Sequence, residues 1–110
     1  MRISKNGELL NGIVFGNYKN GQLSFEYGYK NGKRDGLCKQ WNKNGQLIWE
    51  REFKNGLQHG IDKAWDKNGQ LSWELFYKNG LKDGHAKFYD QNGEIIMEEL
   101  YDNGKKVKKN

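Results

Sequence analysis

The chain has no proline, a single cysteine and no long run of apolar residues. Without proline, every strand of a predicted sheet keeps its backbone hydrogen-bond donors. A lone cysteine, Cys38, cannot form an internal disulfide and suits a reducing compartment, so we interpret it as a packing residue. No segment approaches the roughly 18 apolar residues of a membrane span, and residues 1–12 lack a signal-peptide core. These absences favour a soluble cytoplasmic protein.

Hydrophobic residues are also scarce, at 35% of the 110 residues, whereas 30% are charged. A thick globular core would need more of them, so the composition favours a thin, extended architecture. The hydrophobic residues include four Trp, six Tyr and five Phe. Aromatic side chains favour strands and bury a large area each, which indicates a protein built from β-strands.

The formal net charge is +5, but four lysines lie within the last six residues. We interpret residues 105–110 as a solvated basic tail, which leaves a nearly neutral body. No basic stripe or known reading motif accompanies the aromatic residues. We therefore expect no recognition of nucleic acid.

The dipeptide Asn-Gly recurs at separations that alternate between 11 and 13 residues, which gives a period of 24 residues. Asn-Gly suits two adjacent residues with positive φ, the tight turn that joins antiparallel strands, so each copy predicts a chain reversal. The period predicts an all-β fold, an elongated single-layer antiparallel sheet of stacked β-hairpins that forms one repeat domain over residues 1–110. The segments at Asn6-Gly7 and Ile13–Asn17 break the regularity and are expected to cap one edge.

A further glycine in each period follows Asn31, Asn55 or Asn79, and we interpret these links as wider turns. Positive φ or a close backbone approach would then account for the second glycine. The predicted turn glycines are Gly21, Gly32, Gly36, Gly45, Gly56, Gly60, Gly69, Gly80, Gly84, Gly93 and Gly104.

Each period is predicted to hold a long strand and a shorter one of about five residues. The long strands follow Gln22, Gln46, Gln70 and Glu94, with aromatic and apolar residues on one face and a column of glutamates on the other. The short strands are Leu37–Trp41, Ile61–Trp65 and His85–Tyr89, with Ile13–Asn17 as a degenerate copy. Equivalent residues should form ladders across the sheet, at Phe25, Trp49, Trp73 and Met97 in the long strands and Trp41, Trp65 and Tyr89 in the short ones.

Two columns of charge accompany these ladders. The long strands carry Glu26, Glu50, Glu74 and Glu98, and the short strands carry Lys39, Lys63 and Lys87. The two columns could form cross-strand ion pairs, although the register decides whether they share a face.

The pattern aromatic-Lys-Asn-Gly-x-x-x-Gly occurs at Tyr29–Gly36, Phe53–Gly60 and Tyr77–Gly84, and Asn-Gly-x-Leu starts the next strand at Asn44 and Asn68. The pattern resembles the MORN repeat (membrane occupation and recognition nexus) and is most similar to its bacterial variant, in about four copies. The common eukaryotic form differs in its spacing and in a Tyr-x-Gly-x-Trp strand start that this chain lacks. Bacterial relatives include small antitoxins of the YwqK type, so the resemblance implies a module that blocks a partner protein.

Catalytic chemistry has little support in the residues. The only histidines, His59 and His85, lie beside glycines, and His59 occupies the repeat position of Asp35 and Asp83, which indicates turn chemistry. No Cys/His spacing resembles a metal site, and the Asn-Gly units precede strands, unlike a phosphate loop. We expect no enzymatic activity, no metal and no cofactor.

The variation between repeats indicates where a partner would bind, because positions that the stack requires should repeat. On the glutamate-bearing face, equivalent positions become apolar toward the C-terminal half, which suggests a contact site. The alternative is that a curved sheet or a terminal cap covers them. The predicted partner-binding residues are Ile48, Phe76, Ile96 and Leu100, with Phe88 as a neighbour from a short strand.

The sequence thus predicts stoichiometric binding to a protein, with toxin neutralisation as the specific function. One alternative is a scaffold or membrane-surface module that binds anionic phospholipid through the tail lysines. Another is a designed consensus array without a native partner. The aromatic face of a single layer also needs cover, which strong twist, a homodimer or the partner could supply.

Overall fold

The computed structural model describes residues 7–107, which form one open antiparallel sheet with extents of 55 × 34 × 12 Å. The prediction of an all-β, elongated single layer is confirmed. Within the described range there is no helix long and apolar enough to cross a membrane. Asn6, Lys108 and Lys109, which the sequence analysis assigned to the cap and the tail, lie outside the described residues.

The strands lie in the sheet in the order of the chain, so each hairpin pairs with the next. Two short strands, Leu81–Lys82 and Gly84–Tyr89, share one position beside the strand Leu71–Lys78. The strands are β1 Gly12–Asn17, β2 Leu23–Lys30, β3 Lys33–Trp41, β4 Leu47–Lys54, β5 Leu57–Trp65, β6 Leu71–Lys78, β7 Leu81–Lys82, β8 Gly84–Tyr89, β9 Ile95–Asp102 and β10 Lys105–Lys106.

The Asn-Gly dipeptides form two different kinds of turn. Asn31, Asn55, Asn79 and Asn103 have φ of 49 to 52°, and the glycines that follow them also have positive φ. Lys30 pairs directly with Lys33, so the loop has two residues, as in a type I′ turn.

At the other four dipeptides of the periodic series, which start at Asn20, Asn44, Asn68 and Asn92, only the glycine has positive φ. The Gly45 N–H donates to the Asn42 carbonyl at 3.0 Å, and the Asn42 N–H donates to the Gln46 carbonyl at 2.8 Å. This is a type I turn closed by a left-handed glycine. Oδ1 of Asn42 also accepts the backbone N–H groups of Asn44 and Gln46, as Asp66 and Asp90 do in their turns.

The prediction of wider turns after Asn31, Asn55 and Asn79 was wrong. Because the type I′ turn needs only two residues, strand pairing resumes at once, and β3 and β5 are longer than the predicted short strands. Gly36 and Gly60, with φ of 86 and 112°, instead lie inside these strands where the register shifts. Asp83 interrupts the strand at the equivalent place in the next copy, between β7 and β8, and its N–H donates to the Phe76 carbonyl at 2.8 Å.

Successive hairpins are joined along the edge of the sheet that holds the tight turns. The glycine N–H of each tight turn donates to a carbonyl of the preceding hairpin, as Gly80 does to Gln58 at 2.8 Å. The N–H of the preceding asparagine donates to a side chain of that hairpin. These bonds join Asn31 to Asn11 at 2.9 Å, Asn55 to Asp35 at 3.3 Å, Asn79 to His59 at 3.2 Å and Asn103 to Asp83 at 3.2 Å.

The core lies on one face of the sheet, where small residues alternate with large ones. Cys38, Ala64 and Ala86 of the short strands are 0, 6 and 2% exposed. Ala64 lies directly between Trp49 and Trp73 of the neighbouring strands. Since neighbouring strands are about 4.8 Å apart, large side chains from both sides cover a small residue between them. The aromatic face thereby provides much of its own cover.

Lys105 and Lys106, the start of the predicted solvated tail, are exposed but belong to the sheet. Both residues pair with β9, opposite Asp102 and Tyr101, as strand β10. The Lys106 ammonium lies 2.7 Å from the Glu99 carboxylate, which also accepts a hydrogen bond from the Tyr101 hydroxyl at 2.9 Å. The bond from Lys106, followed by that from Tyr101, lowers the pKa of Glu99.

We expect His59→Ala to destabilise the fold by about 1 kcal/mol, because it removes the acceptor of the Asn79 N–H. His59→Asp introduces the residue that serves the same purpose at positions 35 and 83, so its stability should stay near that of the original chain. Urea unfolding of the three proteins measures the difference. An equal loss in both variants would contradict the role of this bond.

We expect β10 to detach from β9 as the pH falls. A carboxyl whose pKa is lowered by folding stabilises the fold above its unfolded pKa, about 4.3 for Glu, and that contribution is lost as the pH falls through the folded value. The protection of the Val107 amide, whose N–H donates to the Leu100 carbonyl at 2.7 Å, should therefore fall in acid relative to its intrinsic exchange rate. Glu99→Gln should show fast exchange with little dependence on pH below 6, apart from the intrinsic chemistry of exchange. The same acid transition in Glu99→Gln would rule out this carboxylate as the cause.

Candidate functional site

The register places the two columns of charge on the same face of the sheet. Lys39 lies opposite both Glu26 and Glu50, and Lys63 lies opposite both Glu50 and Glu74. The resulting row, which we call the charge row, runs Glu26, Lys39, Glu50, Lys63, Glu74, Lys87, Glu98 across neighbouring strands. We call the face that carries it the ladder face.

Ion pairs connect part of the charge row within the chain. The Lys39 ammonium lies 3.7 Å from the Glu50 carboxylate, and the Lys63 ammonium lies 3.3 Å from that of Glu74. Beside the row at its C-terminal end, Nδ1 of His85 lies 3.7 Å from the Glu98 carboxylate, a contact that is an ion pair only when the imidazole is protonated. These pairs are partly exposed, so each stabilises the fold by only about 0 to 1 kcal/mol.

The ladder face also carries most of the exposed apolar side chains of the strands. Because side chains alternate between faces, Phe76 shares the face of Glu74 and Ile96 shares that of Glu98. Their side chains are 39 and 66% exposed. The other exposed apolar residues on this face are Ile13, Phe15, Leu37, Leu57 and Leu81. A charged face with so many exposed apolar groups is a candidate contact surface.

The predicted partner-binding residues fall on two sides of the charge row. Phe76 and Leu100 lie toward the tight turns, where Ile61 is opposite Phe76 and His85 is opposite Leu100. Ile48 and Ile96 lie toward the other turns, at the far side of the charge row. Ile48 and Leu100 are half-buried, whereas Phe76 and Ile96 are exposed.

The placement of Phe88 beside these residues was wrong. Phe88 lies opposite Trp73 and Met97, which belong to the aromatic face. Its neighbour Lys87 occupies the ladder face, and consecutive residues of a strand point to opposite faces. The face of a short strand depends on the length of the turn before it, and the wider turns expected there left that length open.

The aromatic face holds a network of charged groups among its rings. The Arg34 guanidinium lies 4.8 Å from the centroid of Tyr27 and 5.3 Å from that of Phe53, within the range of cation–π interactions. The Arg51 guanidinium lies 4.7 Å from the centroid of Trp49. These contacts cover ring faces that a single-layer sheet would otherwise leave to solvent.

Asp62 is the charged residue that the sequence analysis missed. Its side chain is buried, and its carboxylate accepts bonds from Arg51 Nε at 3.3 Å, Gln58 Nε2 at 3.2 Å and Trp73 Nε1 at 3.2 Å. The signal was its repeat position, where the other copies have Cys38 and Ala86. No buried side-chain nitrogen or oxygen in the described part of the chain lacks a partner.

Two titratable groups of the aromatic face, Cys38 and Tyr77, are held in their neutral forms. Burial raises the pKa of the Cys38 thiol, and burial together with the charge of Asp62 raises the pKa of Tyr77. A buried thiol with a raised pKa is a poor nucleophile. Among residues 7–107, no group of three His, Cys, Asp or Glu side chains could hold a metal ion.

A shallow cleft of about 380 Å³ lies between the first two tight turns. Asp35, Glu52 and His59 line it together with lysines and the Phe53 ring. Each of the three accepts a backbone N–H of this chain, with distances of 3.2 to 3.3 Å. Their arrangement is accounted for by the turns and bulges that they stabilise.

The sequence profile of the MORN repeat variant matches residues 10–31, 34–55 and 82–107, which together cover more than half of the chain. The first two matched segments end at Asn31 and Asn55, in the tight turns, and the third hairpin lies between the second and third matches with the same strands. No curated protein matches this sequence closely enough to count as a relative. MORN repeats form modules that often serve in binding and are generally not catalytic. The chain belongs to the MORN repeat variant family.

Proposed function

We propose that this protein is a non-catalytic cytoplasmic module that binds a partner protein stoichiometrically, and that the partner is a toxin whose activity the bound module blocks. The observation that carries the proposal is the apolar group at Phe76 beside the charge row of the ladder face. The resemblance to bacterial antitoxins suggested the class of partner.

The position of Phe76 is one that the repeat itself leaves free. The equivalent residues in the other copies are Gly28, Glu52 and Leu100, whereas the neighbouring Glu74 position is a glutamate in every copy. The residue at the Glu74 position is constant, as expected where the sheet itself requires it. The residue two places away differs between copies, so the sheet does not determine it. The changing position is therefore the better candidate for specificity.

The surroundings of Phe76 have the composition of a protein interface. Ile61 lies opposite it, Leu57 and Leu81 are exposed nearby on the same face, and the charge row borders this apolar group. An apolar centre with a charged rim is the usual anatomy of such contacts, and a central aromatic residue is a common hot spot. Because the sheet presents these residues on paired strands, little conformational freedom would be lost on binding.

We expect Phe76→Asp to weaken partner binding about tenfold or more, since it places a charge in the apolar centre. Phe15→Asp is the matched control, because Phe15 lies on the same face with 63% exposure but at the N-terminal edge. Tagged forms of the original chain and both variants serve as baits in the native cells. Quantitative mass spectrometry then compares the co-purified proteins, and thermal melting checks that each bait is folded.

The expected result is one stoichiometric protein that the original chain and Phe15→Asp retain and Phe76→Asp loses. That protein, expressed alone, should arrest growth, and co-expression of the module should restore it. Equal recovery with all three folded baits would refute the binding site. A recovered partner that is harmless when expressed alone would refute toxin neutralisation while leaving the binding site intact.

A further inference from the structure

The ladder face is complementary to a second copy of itself. We propose that two copies of this chain associate through their ladder faces, about a two-fold axis that runs parallel to the strands midway between β5 and β6. Such an axis keeps each residue at its level along the strands and exchanges the strands on either side. It places β5 over β6, β4 over β8 and β3 over β9 of the second copy.

The charge row supports this axis. Lys63 of one copy lies at the level of Glu74 of the second copy, and the same rotation brings opposite charges together along the rest of the row. The pairs between the copies are Lys63 with Glu74, Glu50 with Lys87 and Lys39 with Glu98, each occurring twice. An axis along any single strand would instead place glutamate over glutamate and lysine over lysine.

The apolar residues favour the axis between β5 and β6 over the two adjacent ones, since an axis between β6 and β8 would place the polar His85 over Phe76. The row next to the charge row, on the side of the tight turns, holds Leu37, Glu52, Ile61, Phe76, His85 and Leu100 in successive strands. The rotation places Ile61 over Phe76, Leu37 over Leu100 and Glu52 over His85. An axis between β4 and β5 would place Glu52 over Ile61, which would bury a carboxylate against an apolar side chain.

The contact area is large enough for a stable dimer. Six strands spaced about 4.8 Å apart, with about six residues each at about 3.3 Å, give roughly 600 Å² per copy, or about 1,200 Å² in total. That value lies at the lower end of specific interfaces. Facing sheets cross at about −30° because each is twisted, so the contacts at β4, β5, β6 and β8 should be the closest.

This inference does not depend on the proposed function, and it concerns the purified chain alone. Both use Phe76, so the dimer and the complex with a partner would exclude each other. A partner would then have to displace the second copy. Until it does, the dimer keeps the binding face covered and protected from other contacts.

The first test is sedimentation equilibrium of the purified chain. We expect a species of twice the 12.9 kDa of the monomer, with a dissociation constant about tenfold weaker or more in Phe76→Asp and unchanged in Phe15→Asp. Phe15 lies in β1, which the proposed axis leaves outside the contact. A monomer up to millimolar concentration, or equal weakening in the two variants, would overturn the proposal.

The second test uses a variant with a reversed charge row, in which Lys39, Lys63 and Lys87 become Glu while Glu26, Glu50, Glu74 and Glu98 become Lys. The ion pairs of Lys39 with Glu50 and of Lys63 with Glu74 persist with exchanged signs, so the variant should fold. Opposite charges still meet when two variant chains pair, but a variant chain and an original chain would bring like charges together.

We expect both proteins to form homodimers and native mass spectrometry of their mixture to show less than a tenth of the mixed dimer that random exchange would give. The ladder-face contact predicts this self-sorting, whereas association through the aromatic face or through strand edges does not. Mixed dimers in the random proportion would overturn the proposal, as would loss of the homodimer in a folded charge-reversed variant.

Discussion

The two-residue Asn-Gly turn is the constraint on which the rest of the sheet depends. Its left-handed asparagine and glycine fix which residues of adjacent strands lie opposite each other, since pairing resumes directly at Lys33 after Lys30. A shift of one residue would move every side chain to the other face. The bond from each asparagine N–H to the preceding hairpin then extends this register from one repeat to the next.

Fixed register explains how one layer of strands suffices for a stable fold. At several positions the large side chains of the long strands meet small side chains of the short strands, as Trp49 and Trp73 do at Ala64. One face thereby becomes a thin core with its own network at Asp62. The other face needs only cross-strand charges, which contribute little each, so its remaining positions are free to vary.

The hairpins could be predicted from the local sequence, whereas the face that each side chain of the short strands occupies could not. The period of Asn-Gly and the alternation in the long strands determine the fold class from sequence alone. Both kinds of turn contain Asn-Gly. They are distinguished by residues such as Asp66 in the longer loop, whose side chain accepts backbone hydrogen bonds. The irregularities at Gly36, Gly60 and Asp83 shift the register by two residues and so keep each side chain on its face. The length of the tight turn therefore decides the faces of the short strands, and the expectation of wider turns is why Phe88 was assigned to the wrong face and Asp62 was missed.

The same alternation that stabilises one chain also makes its ladder face complementary to another. A row in which each charge is followed by its opposite matches a second copy of that row after a shift of one strand, so the repeat brings with it a capacity for self-association. If all copies of the repeat were identical, two chains could associate equally well after a shift of several different numbers of strands, and the dimer would have no single geometry. The differences at Glu52, Phe76 and Leu100 remove that degeneracy, because they make one axis more favourable than its neighbours. Variation between repeats can therefore specify a single contact on a surface whose backbone is periodic.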